Sequence, residues 1–134
     1  DSYTLYLMTH NFHWNVKGPQ FNSLHLMFME QYTEQWNALD EIAERIRALG
    51  HLAPSSPKAL VDTSGEKDKK ASSTAVQMVT MLKERHEALA RLCHKVTELC
   101  EQDEVNDPVT ADLCNARSAV HEKAAWMLRA MSAS

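Results

Sequence analysis

The chain has 134 residues, 44% of them hydrophobic and 24% charged, and a formal charge of −4. That length bounds it to about one domain, able to bury a core without disulfides or a structural metal, and the acidic balance excludes a generic nucleic-acid glove, which would be basic. No apolar run reaches the roughly 18 residues that suggest a membrane span, and Cys93, Cys100 and Cys114 lack zinc-type spacing, so free thiols in a reducing compartment are expected.

Only three Gly and four Pro punctuate the sequence, which favours long helices. Residues 1–16 read as the last turns of a helix, so a segment preceding Asp1 is expected. Tyr3, Tyr6, His10, His13 and Trp14 share one side of it, and Gly18-Pro19 ends it. A second helix is expected over about 20–49, with Phe21, Leu24, Phe28, Tyr32, Leu39, Ile42, Ile46 and Leu49 as its apolar stripe and Gly50 as its stop. Residues 51–71 carry Pro54, Pro57, Gly65 and the run Glu66-Lys67-Asp68-Lys69-Lys70. They read as a loop with one short helix around Pro57–Thr63, long enough to cross the molecule. The third helix is expected over 73–101, with Val76, Val79, Leu82, His86, Leu89, Cys93, Val96 and Cys100 inward. Asp107 then reads as an N-cap and Pro108 as the first helical residue. The last helix runs to about Met131, with Val109, Leu113, Ala116, Val120, Ala124 and Leu128 inward. The pattern is an all-α four-helix bundle with one long crossover between its second and third helices, forming a single domain over 1–134.

Candidate metal ligands lie on the first two helices. His13 and His25 are each about two turns from the Gly-Pro turn, so antiparallel packing brings them level; His10 is one turn further away and a weaker candidate. Asp40 and Glu44 sit at i,i+4 on the second helix, where like charges repel unless a cation lies between them. A solvated acidic face, with Glu30, Glu34 and Glu41 nearby, is the bland alternative. His25 and Asp40 are fifteen residues apart on one helix, about 22 Å. One chain therefore cannot bring both groups to one ion. A shared site needs a second copy, related by a two-fold axis crossing the second helix near Tyr32–Thr33, and Trp36 would gain a covering surface there.

The run His10-Asn11-Phe12-His13-Trp14-Asn15-Val16-Lys17-Gly18, then Phe21, Leu24-His25 and Leu39-Asp40-Glu41-Ile42-Ala43-Glu44-Arg45-Ile46, resembles the signature of the Dps family of miniferritins, which is ferritin-like. Thr110-Ala111-Asp112-Leu113 and the run Val120–Arg129 resemble its final helix, so the likeness covers essentially the whole chain. The resemblance implies a dodecameric, cytoplasmic cage built from two-fold dimers, with nucleoid association open. His13 and His25 of one subunit, with Asp40 and Glu44 of its mate, would bind and oxidise iron(II), typically with hydrogen peroxide, and the ferric product would be stored as mineral. Imidazole and carboxylate together suit iron, and zinc could take its place. Trp14 could pack the site or quench radicals. Asp107 and Asp112 match acidic positions lining the family's iron-entry pores, although Asp107 is already explained as a cap.

Two features depart from the family pattern. Where the family usually has a carboxylate four residues after the second histidine, this chain has Met29, whose thioether is a poor ligand for hard iron. A weakened second iron position is therefore expected. No Lys/Arg-rich tail is present to give salt-sensitive phosphate contacts, so this stretch does not support DNA binding. The competing readings are a structural or DNA-protecting cage with weakened ferroxidase activity, and a helical adaptor that only dimerises.

Overall fold

A computed structural model describes residues 1–60 and 73–132 of the chain. Its elements are α1 (Ser2–Asn15), α2 (Phe21–Ala48), α3 (Pro57–Leu60), α4 (Ala75–Cys100) and α5 (Pro108–Ser132), with no strand among the described residues. The ends follow from local chemistry. Gly18, at φ 114°, lets the chain reverse after α1. At the end of α2, Gly50 takes φ 95°; its N–H donates to the Arg47 carbonyl at 3.0 Å, and the His51 N–H to that of Ile46 at 3.1 Å. This double closure satisfies carbonyls that the helix leaves without partners.

The starts of α3, α4 and α5 are capped by side chains, whereas those of α1 and α2 have no side-chain cap. Ser56 Oγ accepts from the Ala59 N–H at 3.1 Å and begins α3. The expected short helix is thus present over Pro57–Leu60, while 61–63 and the charge run 66–70 lie outside the described residues. Thr74 and Gln77 cap α4 reciprocally: the Thr74 N–H donates to Gln77 Oε1 at 2.8 Å, and the Gln77 N–H to Thr74 Oγ1 at 3.2 Å. Asp107 Oδ1 accepts from the Thr110 N–H at 3.1 Å, with Pro108 as the first helical residue of α5, as the sequence indicates.

The chain divides into two compact units, Asp1–Met78 and Val79–Ser134. In the first, α1 and α2 pack antiparallel. The core face of α1 is Leu5, Met8, Thr9 and Phe12, followed by Val16 just past its end; α2 contributes Leu24, Phe28, Gln35 and Ala38. Phe12 and Phe28 are wholly buried, each contributing about 1.5–3 kcal/mol over an exposed ring. The gap between Tyr32 and Leu39 in the expected stripe is filled by Gln35 and Ala38, whereas Phe21 and Leu49 are exposed at the helix ends.

In the second unit, α4 and α5 pack antiparallel. Thr97 Oγ1 donates to Asn115 Oδ1 at 3.3 Å, and His86 meets His121 ring to ring. The α4 stripe is largely as expected, but Val76 is exposed, lying about 100° around the helix from the stripe's centre. On α5 the inward face is rotated by about a quarter turn from the apolar pattern. Ala111, Arg117, Ser118, His121, Ala124, Ala125 and Leu128 are buried, while Val109 and Ala116 are exposed. The physical reason is that polar side chains occupy the true centre of this face. The three cysteines are free thiols.

Candidate metal centre

Five residues join α1 to α2, and the tight turn at Gly18-Pro19 makes the two helices antiparallel neighbours. His13, near the end of α1, and His25, in the second turn of α2, therefore face each other. Their ring centroids are 3.8 Å apart and the planes are inclined by 14°. Each ring is held by the other's backbone: His13 Nδ1 donates to the His25 carbonyl at 2.7 Å, and His25 Nδ1 donates to the His13 carbonyl at 2.6 Å. A carbonyl can only accept, so both protons are fixed on Nδ1. In the neutral rings each Nε2 then carries a free lone pair, the arrangement in which protein imidazoles bind metal. His13 is 7% exposed and His25 half-buried, so the pair sits in a partly sheltered position.

His10 does not join them as an equal. Its Nδ1 takes the Tyr6 hydroxyl at 3.0 Å, and its ring stacks on Tyr32 at 3.9 Å. Burial, and then the adjacent His13, hold it below the usual histidine range. Trp14 lies 4.2 Å from the His10 ring and is largely exposed, so it flanks this corner rather than filling the core.

Asp40 and Glu44 lie further along α2, both exposed to solvent. A side-chain hydrogen bond to Asp40, and then the charge of Asp40, push the Glu44 carboxyl above its ordinary range. Two carboxyls this close repel each other when both are charged, and a cation between them would relieve that repulsion. Arg47 Nη1 donates to the His51 carbonyl at 3.2 Å. Among the described residues no three His, Cys, Asp or Glu side chains gather closely enough to hold one metal ion. The histidine pair and the carboxylate pair are thus separate clusters, with His25 and Asp40 about 22 Å apart along α2. Asp40 borders a cavity of about 620 Å³ with Tyr3, Trp36, Ile42 and Ala59. Met29, 39% exposed, is on the same side of α2 as His25.

Asp107 is engaged as the α5 cap, and Asp112 is exposed one turn further on. Sequence reasoning missed the buried pair His86 and His121, each 1% exposed, whose Nδ1 atoms lie 2.9 Å apart. Burial, and then Arg117, lower His86 to about 4; burial, then His86 and Arg117, lower His121 to about 3. The stripe pattern flagged His86, but nothing in the apolar periodicity marks His121.

A ferritin-like domain family matches residues 1–133. The DNA protection during starvation protein 2 of Bacillus anthracis is 39% identical over 126 residues, covering 94% of this chain and 85% of that protein. The crystal structure of a Dps protein from Bacillus brevis superposes with a TM-score of 0.86 at 34% identity, covering 96% of this chain and 85% of that one. The Dps protein of Vibrio cholerae O1, described as a member of a broad superfamily of ferritin-like diiron-carboxylate proteins, gives 0.84 at 28% identity, covering 97% and 81%. No helix among the described residues is long and apolar enough to cross a membrane.

Proposed function

The chain belongs to the Dps family of ferritin-like miniferritins, an all-α four-helix fold, and from that premise we propose that it is an iron-oxidising and iron-storing subunit of a closed homo-oligomeric cage. The observation that carries this reading is the His13–His25 pair, whose reciprocal backbone hydrogen bonds present two Nε2 lone pairs. Iron is here substrate and cargo. His13 and His25 of one copy, with Asp40 and Glu44 of a second, complete each pocket, because the α2 rod separates the two half-sites by about 22 Å. A two-fold pairing yields two equivalent pockets per dimer, and twelve subunits close the shell.

The ligand set is hard or borderline and leaves positions open for an oxidant, as ferrous oxidation requires. Hydrogen peroxide accepts two electrons, one from each of two ferrous ions, and is reduced to water. Zinc suits the same ligands but has no redox chemistry, so it would inhibit. A DNA-protecting cage is the second reading, favoured by the name of the Bacillus anthracis relative. The −4 charge of this chain gives phosphate contacts little support, so the oxidation of iron ranks first.

The test is anaerobic loading with ferrous ion followed by peroxide, watched for ferric absorbance. Rapid oxidation in the parent and a loss of at least tenfold in both His25→Ala and Asp40→Ala is the expected result. Unchanged rates in both variants would remove these residues from the site.

A further inference from the structure

The aromatic rings of α1 and α2 form a series that runs from the histidine pair to Trp36, one helical turn before Asp40. His25 stacks on His13, and the His13 and Tyr32 centroids are 5.2 Å apart. Tyr32 is 6.4 Å from Tyr6, and Tyr6 is 5.4 Å from Trp36. Trp36 shares the wall of the 620 Å³ cavity with Asp40, one helical turn further along α2. Tyr6 is the hub, in ring contact also with Tyr3 and with His10. Every ring of the series from Tyr32 onward is an oxidisable phenol or indole, and the series ends at Trp36, 58% exposed in the single chain where the expected two-fold partner would cover it.

Resting on the ferroxidase reading above, we propose that these rings are an electron relay, with Tyr6 and Trp36 as its oxidisable steps, connecting the two metal pockets to which one chain contributes. Electron tunnelling falls off exponentially with distance. A single jump of about 22 Å is therefore far slower than several steps between rings in near contact.

The relay answers a problem of electron count. Met29 replaces the carboxylate that would support a second ion, so each pocket holds one ferrous ion and supplies one electron. Peroxide that took only that electron would release a hydroxyl radical. The second electron comes from the ferrous ion held at Asp40 and Glu44, through Trp36, Tyr6 and Tyr32. The net reaction is 2 Fe2+ + H2O2 + 2 H+ → 2 Fe3+ + 2 H2O, and the rings return unchanged. Oxidation of Tyr6 releases its phenolic proton, which the 3.0 Å hydrogen bond to His10 Nδ1 holds until the ring is reduced again.

The experiment uses the assembled protein loaded with one ferrous ion per subunit and mixed with peroxide, in the parent, Tyr6→Phe and Trp36→Phe, with Trp126→Phe as control. Both relay variants keep an aromatic ring and remove an oxidisable group. The parent should yield two ferric ions per peroxide and little spin-trapped hydroxyl radical. Tyr6→Phe and Trp36→Phe should fall towards one, with radical adduct rising several-fold and cobalt(II) binding unchanged; Trp126→Phe should match the parent. Parent-like yields in both relay variants overturn the relay alone, whereas a parent that oxidises no iron overturns the ferroxidase reading with it. A second measurement needs no iron. In apo protein carrying Trp14→Phe and Trp126→Phe, azide radicals oxidise Trp36. The indolyl signal should decay into a tyrosyl signal that is absent when Tyr6→Phe is added, and a signal that stays on Trp36 with Tyr6 present overturns the proposal.

Discussion

At the scale of single residues, the centre was legible where geometry is short-range and illegible where polar groups are buried. The matched depth of His13 and His25 about a tight turn is a property of helical rise, and the rings do meet. Met29 follows the same logic as a departure at a known spacing. Met29→Glu, one turn from His25, should restore a hard ligand, and titration with ferrous or cobalt(II) ion should then show a second, tighter equivalent per subunit; an unchanged isotherm would make the thioether irrelevant. His121 and Arg117 could not be read from periodicity, because polar residues mimic a solvated face until packing buries them. The His86–His121 pair carries a pH signature. Both rings are held neutral in the fold, at about 4 and about 3, against an ordinary histidine value near 6.5. The unfolded chain binds more protons between those values, so stability is complete above about pH 6.5 and falls as pH drops towards 4, by up to about 1.4 kcal/mol per histidine per pH unit. Denaturant midpoints across pH 4–7 check this, and in His86→Leu/His121→Leu the pH slope should flatten. An equally steep slope in the double variant would assign it to the carboxylates instead.

At the scale of elements, helix ends were the most legible feature and helix faces the least. Asp107-Pro108 and Gly50 act through their own backbone neighbours, so sequence specifies them almost alone. The inward face of α5 is a choice made by its packing, and the apolar residues on it misplace that face by a quarter turn. Asp107 has two assignments that substitution separates. Asp107→Ala removes the acceptor for the Thr110 N–H and should cost about 1 kcal/mol of stability. Asp107→Asn keeps a capping oxygen and loses the charge. If Asp107 also attracts cations at an entry pore, Asp107→Asn should slow iron uptake with thermal stability unchanged. Uptake equal to the parent in that variant would leave Asp107 as a cap and nothing more.

At the scale of the whole molecule, the decisive fact is the length of α2, which keeps His25 and Asp40 of one chain about 22 Å apart. Asp40 and Glu44 look like a surface acid pair because, in one copy, that is what they are: exposed, next to each other, and, for Asp40, about 22 Å along α2 from His25. On the shared-site proposal the other half of the pocket is a second copy of the chain. Mixed assembly makes the distinction. In a dimer of one His25→Ala chain and one Asp40→Ala chain, one pocket carries both lesions and the other carries neither. Co-assembly from unfolded subunits pairs the chains at random, so about half the dimers are mixed and about a quarter of all pockets are intact. Each variant assembled alone has none. Peroxide-driven iron oxidation should therefore return to about a quarter of the parent rate on mixing two inactive proteins. Pockets built within single chains would stay broken in every combination, and a mixture as inactive as its components would end the shared-site reading.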